Sequence, residues 1–253
     1  MSKVHLCFGD CHAIPGMDNA RADWLAQLIL DMRPDVVISL GDTADMQSLC
    51  SYDRGLKSFQ GRTYKADIDV HGDFQERLWS PVRKAKKKLP RRITLHGNHE
   101  QRIHRAIELS PELEGTIGYR DLDLQRWYDT IVEYDGSTPG IQECDGILYS
   151  HYFTSGNMGR PIGTEHPANA LIQKKLRSCT MGHSHIFDAR TRTDGAGRKL
   201  HGLVAPCYIS DRLGWAGNAN DLWDRGVIVK TGVDNGSYDV SFISMNRIRK
   251  VYG

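Results

Sequence analysis

Three times the chain runs through a short apolar stretch into a glycine followed by Asp or Asn. Val4–Phe8 leads into Gly9-Asp10, Asp35–Leu40 into Gly41-Asp42, and Ile93–Leu95 into the corner Gly97-Asn98-His99-Glu100. Between the first two lies residues 18 to 32, where Trp24, Leu25, Leu28, Ile29 and Met32 fall on one helical face and Pro34 marks the end. Strand, helix, strand in that order predicts a right-handed crossover between parallel strands, and it delivers Asp10, His12 and Asp42 to one carboxyl edge of a sheet. The nearly continuous apolar character of Asp35–Leu40 is that of a strand covered on both faces. The fold class that follows is α/β.

Further along, Gly146–Ser150 reads as a strand ending at His151. Ser178–Met181 leads into Gly182-His183-Ser184-His185, whose two histidines share a face of extended chain. Val70, Phe74, Leu78, Val82, Ala85 and Leu89 form an apolar stripe at helical period, in which Ser80-Pro81 either caps a new helix or kinks this one. From residue 186 the pattern turns to hairpins, Arg190–Thr193 with Leu200–Val204 and Val227–Lys230 with Tyr238–Ile243. With no repeat and no linker, 253 residues predict one domain over 1–253, with an insertion at 46–90 and a small cap at 110–145. Trp127 and Tyr128 read as packing residues, while Trp215 and Trp223 in the Ser210–Asp224 loop read first as buried packing and second as flanking the substrate.

Composition narrows the partners. No stretch approaches the ~20 apolar residues a bilayer helix needs, which excludes spanning, and a start that goes straight into a strand-like run reads as cytoplasmic. Six scattered cysteines without CxxC spacing read as reduced thiols. A net charge of +2 leaves nucleic-acid binding without a global footprint, so a polyanion would have to use Arg83–Arg92, where seven of ten residues are basic. That run reads first as a solvated helix face and second as a landing strip leading to Gly97-Asn98-His99-Glu100.

Collected at strand ends are Asp10, His12, Asp42, Asn98, His151, His183 and His185. Oxygen and imidazole donors in that number, without a thiolate, suit two neighbouring ions with Asp42 as the natural bridge. Such a pair polarises a phosphoryl oxygen, activates water near neutral pH and clamps both oxygens of an in-line displacement. His99, left over from the donor set, can protonate the leaving oxygen, with Asp45 to orient its imidazole and keep it charged. Arg102, on the helix that starts at the corner, and Arg160, in the glycine-rich loop 156–166, are the candidate substrate contacts. Glu100 reads as an early-helix residue.

Asp10-x-His12, Gly41-Asp42-x-x-Asp45, Gly97-Asn98-His99-Glu100, His151 and Gly182-His183-x-His185 resemble, in order, the five motifs of the calcineurin-like metallophosphoesterase family. The resemblance implies a four-layer α/β/β/α sandwich with a dinuclear metal site at strand ends. It implies two divalent ions, manganese first, with iron, zinc, nickel or cobalt as alternatives. Carried over by motif position, Asp10, His12, Asp42 and His185 hold one ion and Asp42, Asn98, His151 and His183 the other, with His99 and Asp45 as the acid pair. Protein phosphatases of the family carry Gly-Asp-x-His-Gly and Gly-Asp-x-x-Asp-Arg-Gly. Here Ala13 follows His12 and Met46-Gln47 follow Asp45, so the guanidinium typical of phosphomonoester recognition is missing. The Gly-His-x-His ending is more similar to the branch of phosphodiesterases and Mre11-type nucleases. The expectation is a metal-dependent hydrolase of phosphodiesters in nucleotides or nucleic acid, working through in-line attack by metal-activated hydroxide. A phosphomonoesterase acting on nucleotides or phosphoproteins, and a nucleic-acid-binding protein with an inert site, stand as alternatives, and the oligomeric state is open.

Overall fold

The apolar runs that end in Gly-Asp or Gly-Asn become parallel neighbours in one sheet, as crossover topology requires. The computed structural model describes residues 2–85 and 88–253. In chain order it contains β1 (Lys3–Phe8), α1 (Ala20–Met32), β2 (Val36–Ser39), α2 (Tyr64–Lys84), β3 (Arg91–Leu95), α3 (Gln101–Leu109), β4 (Thr130–Val132), β5 (Gln142–Cys144) and β6 (Ile147–Tyr149). Then follow β7 (Thr154–Ser155), β8 (Arg160–Pro161), α4 (Pro167–Lys175), β9 (Ser178–Met181), β10 (Asp188–Thr193), β11 (Lys199–Val204), β12 (Gly226–Asp234), β13 (Ser237–Ser244) and α5 (Met245–Tyr252).

The first sheet has the order β13-β12-β1-β2-β3-β4 and the second β10-β11-β9-β6-β5, while β7 and β8 form a separate small hairpin. Strands β1 to β4 pair in parallel, and β12 and β13 close the far edge antiparallel. Period-two alternation assigns the faces of β1. Leu6 and Phe8 pack outward against Leu25 and Ile29 of α1, Phe74 and Leu78 of α2 and Ile248 of α5. Cys7 turns the other way with Ile38, Ile93 and Ile228, meeting Ile147, Tyr149 and Leu203 of the second sheet. On the far side of that sheet, Cys179, Met181 and Val204 pack on Leu171 of α4. The layers are therefore helix, sheet, sheet, helix, and all six cysteines lie buried as free thiols. No helix among the described residues is long and apolar enough to cross a membrane.

Helix α2 runs through Pro81 and stops at Lys84, so Leu89, the last residue of the apolar stripe, lies outside it and is 38% exposed. The basic run does not sit beside the corner it leads to in sequence. It enters the amino end of β3, whereas Gly97-Asn98-His99-Glu100 follows the carboxyl end, a strand length of roughly 16 Å away. Arg83 lies over the Trp127 ring, and Arg92 pairs with Asp129 and lies over Trp79. Lys86 and Lys87 of this run fall outside the described residues.

Between the sheets a polar chain crosses an otherwise apolar layer. Lys230, wholly buried opposite His5, donates to Thr180 Oγ1 at 2.5 Å and Tyr149 Oη at 3.1 Å, and lies over the Tyr149 and Tyr238 rings. His5 meets Tyr149 Oη through Nδ1 at 2.8 Å and Asp145 through Nε2 at 2.9 Å. One proton arrangement satisfies the chain: Lys230 donates to Tyr149, Tyr149 to His5, and a neutral His5 to Asp145. Burial, with the Lys230 charge second, pushes His5 down to about 4, and burial pulls Lys230 down to about 8. Each group binds its proton less readily folded than unfolded, so stability rises with pH across each gap. It is lost as pH falls from 6.5 toward 4 through His5, and gained as pH climbs from 8 toward 10.5 through Lys230. His5→Gln should flatten the lower window and Lys230→Met the upper one in calorimetric Tm profiles. Profiles parallel to that of the unmutated protein in both windows would refute this account.

Candidate metal centre

The carboxyl ends of β1, β2 and β3 meet those of β6 and β9, and the backbone there is forced into unusual conformations. Asp10, His12, Asp42, His183 and His185 all have positive φ, between 45° and 69°, a region that costs a non-glycine residue about 1–2 kcal/mol. Asp10 and His12, like His183 and His185, therefore converge through left-handed turns rather than through the shared face of an extended chain. The glycines beside them permit close approach: a Cβ on Gly97 would lie 2.0 Å from Asp42 Oδ1, and one on Gly182 would lie 2.5 Å from Asp10 Oδ2. Substituting either would push a carboxylate out of place.

Two groups of donors result. Asp10, His12 and His185 bring one donor atom each within 4.8 Å of one another, and so do Asp42, His151 and His183. Asn98 Oδ1 joins the second group, 3.0 Å from His151 Nε2. A third trio, His12, Asp42 and His99, spans the two. All seven donor residues expected from the sequence thus line one edge of the sandwich.

Hydrogen bonding tests whether these groups suit a cation. His151 Nδ1 lies 2.8 Å from the carbonyl of Leu40, an acceptor only, so Nδ1 must carry the proton. Burial opposes a second proton on His151, but Asp42 and Asp10 outweigh burial and raise its pKa to about 9, so without a cation Nε2 is protonated too. A cation that displaces this proton meets Nε2 with Asp42 Oδ2 3.3 Å, Asn98 Oδ1 3.0 Å and His183 Nδ1 3.2 Å away. Likewise His12 Nδ1 faces Asp45 Oδ1 at 2.7 Å, which leaves its Nε2 facing His185 Nε2 at 3.2 Å. Clustered imidazole and oxygen donors, with the His151 and His12 rings each fixed by a hydrogen bond at the nitrogen that faces away, are what a divalent cation requires. The donor set fits.

His99 sits among these groups with its backbone N–H donating to Asp42 Oδ1 at 2.8 Å. Its Nδ1 is 2.8 Å from the Asp45 carbonyl and 3.1 Å from Asp45 Oδ1, and its Nε2 is 3.8 Å from Asp42 Oδ2. Burial opposes its charge, but Asp42 and Asp45 together outweigh burial and raise its pKa above the ordinary histidine value. Asp45 faces both His12 and His99, and these partners overcome its burial to hold the carboxyl well below the usual range. It therefore orients a metal-donor ring as well as the ring expected from the sequence.

The two arginines part company. Arg102 donates to the carbonyls of Asp45 at 2.7 Å and Met46 at 3.5 Å and stands 3.3 Å from His99 Nε2, so it braces the Asp45 turn. Arg160 lies exposed on the β7–β8 hairpin.

Glu100 is where the sequence reading falls furthest short. Its buried carboxylate accepts the N–H groups of Asp42, Thr43, Ala44 and Gly97 at 2.7–3.0 Å, and the Thr43 hydroxyl at 3.1 Å. It ties the loop after β2 to the loop after β3. The signal was present in Gly-Asn-His-Glu itself, since a carboxylate three residues past a glycine corner can reach back to orphan amides. Tyr152, Trp215 and Trp223 also border the site, with ring centroids 4.8 Å from His183, 6.0 Å from His12 and 4.3 Å from His185 respectively.

A family model of calcineurin-like phosphoesterases matches residues 5–187, the span that holds every one of these donors. The chain belongs to the calcineurin-like phosphoesterase family. Metal-dependent hydrolysis of phosphoesters is the chemistry of this family, and the donor clusters are groups that could hold a metal ion. Among solved structures, one crystal structure shares 10% identity over 96% of this chain and 100% of its own, at a TM-score of 0.41. The crystal structure of TT1561 of Thermus thermophilus shares 7% identity over 96% of this chain and 99% of its own, at a TM-score of 0.38. Neither likeness bears on activity. No curated protein matches the sequence.

Proposed function

We propose that this calcineurin-like phosphoesterase uses two divalent ions to hydrolyse phosphodiesters of nucleotides or nucleic acid. The observation that carries the proposal is the pair of donor sets meeting at Asp42. Asp10, His12 and His185 would hold one ion, Asn98, His151 and His183 the other, with Asp42 shared. Manganese suits a mixed set of oxygen and imidazole donors without thiolate. When bound, the pair would supply Lewis-acid polarisation of the phosphoryl group and an activated water.

The chain's own groups do the rest. His99 holds its Nδ1 proton on the Asp45 carbonyl and presents Nε2 as the proton donor to the leaving oxygen. Asp45 keeps that ring and the His12 ring in register, and Arg102 fixes the Asp45 turn from the other side. Glu100 sets the backbone from which Asp42 projects. Preference for a diester is supported by Met46 in place of the family's phosphate-binding Arg, and by Arg102, whose Nη1 is held by the Asp45 carbonyl so that only Nη2, beside His99 Nε2, faces the site. A dianionic monoester finds less compensating charge than a diester with one charge fewer.

With manganese supplied, kcat/KM for bis(p-nitrophenyl) phosphate should exceed that for p-nitrophenyl phosphate by about tenfold or more. His99→Ala should lower kcat about 10²-fold on diesters with alkoxide leaving groups, and much less on p-nitrophenyl esters that need no acid. Metal content should stay at the unmutated level. A preference for monoesters would replace this reading with that of a phosphomonoesterase. Equal losses on both kinds of leaving group would remove His99 from the acid role.

A further inference from the structure

Beside the Asp10, His12 and His185 cluster stands a tryptophan that the fold does not bury. Trp215 is 56% exposed, whereas Trp79 and Trp127 are 0% and 3% exposed and pack in the core. Its ring centroid lies 6.0 Å from His12 and 5.7 Å from Trp223, and Trp223 in turn lies edge-on to His185 at 4.3 Å. The loop that carries it is held in place. Buried Asn220 accepts from Leu213 N at 2.9 Å and donates to the carbonyls of Leu213 and Gly217, both at 2.8 Å. Leu213 packs with Cys207 and Ile209, and with Ile14 and Met17 just past His12. Asp224 binds back to the His185 segment, its N–H donating to the His185 carbonyl and its carboxylate accepting from Phe187 N.

Singly exposed apolar side chains are ordinary. What distinguishes this one is its place, a large aromatic ring on a loop pinned by a buried polar staple and paired with Trp223 beside the donor cluster, with its face open to a ligand. Any flat π-system can stack on it, and among phosphodiester components that is the nucleobase. We infer that Trp215 is a stacking shelf for a base on the ester group that lies over the Asp10, His12 and His185 side of the site. This rests on the phosphodiesterase reading and adds that the substrate is a nucleotidyl diester.

Thymidine 5′-(p-nitrophenyl phosphate) and ethyl p-nitrophenyl phosphate share a leaving group and differ only in the base-bearing side. The unmutated enzyme should favour the thymidine ester in kcat/KM by about tenfold, within the roughly 5- to 150-fold span that stacking of about 1–3 kcal/mol allows. Trp215→Ala should abolish most of that ratio, chiefly through KM, and Trp215→Phe should keep it. Independently of turnover, a hydrolysis-resistant dithymidine phosphorodithioate should quench tryptophan fluorescence in the unmutated protein and leave Trp215→Phe nearly unquenched. An unchanged ratio in Trp215→Ala, or unchanged quenching in Trp215→Phe, overturns the shelf and leaves the phosphodiesterase reading standing. An enzyme that cleaves only phosphomonoesters overturns the phosphodiesterase reading, and the quenching result then decides the shelf by itself.

Discussion

Asp42→Asn should leave a folded protein that has lost metal and nearly all activity. The amide keeps the shape of the carboxylate and an Oδ1 to accept from His99 N, so the loop has no reason to collapse. What it removes is the charge that the two donor groups share, and it can place an NH2 against His151 Nε2, which already lies 3.3 Å from Oδ2. Metal content by elemental analysis should fall from two ions per chain to one or none, and kcat/KM by at least about 10²–10³-fold, the scale for loss of a single preorganised electrostatic group. Melting of the protein stripped of metal by chelation should change little by comparison. An Asn variant that retains both ions and turnover would sink the two-metal proposal.

Glu100→Gln should be the most destabilising conservative change near the site. Oε1 takes the amides of Thr43 and Ala44 with the Thr43 hydroxyl, and Oε2 takes those of Asp42 and Gly97. An amide nitrogen in either place sets a donor against at least two donors in a buried pocket, so no flip of the side chain rescues it. Losing two charge-assisted hydrogen bonds and leaving their N–H groups unpaired costs about 2–4 kcal/mol. For a chain of this size that is roughly 5–15 °C in Tm. Because the same amides set the direction of Asp42, metal affinity should weaken about 10- to 100-fold as well, the range seen when outer hydrogen-bond partners of a site are removed. Glu100→Asp keeps the charge but is one methylene shorter, so it should fall between the two. A Gln variant with unchanged Tm and metal affinity would show that the two loops hold their shape without the carboxylate.

Both predictions turn on contacts far apart in sequence, and this separates what was legible from what was not. The sequence by itself determined the parallel strands, their carboxyl-edge corners and the donor types that occupy them. Those follow from runs of a few residues: an apolar stretch, a glycine, an acid or imidazole. Order along the chain and crossover handedness then put the donors of β1, β2 and β3 on one edge without any knowledge of packing. His151, His183 and His185 were joined to the other donors only by the order of the five motifs, because the second sheet's position against the first is set by burial of residues such as Ile38 and Tyr149 in a shared core. Only the tertiary structure decided which nitrogen of each ring faces inward, since that depends on partners such as the Leu40 carbonyl, 111 residues from His151. It also decided that Glu100 serves loops rather than its helix, that Arg102 braces a turn, and that the basic run lies at the amino end of β3. It left Trp215 in solvent, which decides between the packing and substrate-flanking readings that the loop allowed. A local pattern reports the chemistry a residue carries. What that residue faces is settled by the burial and hydrogen-bond accounting of the whole fold.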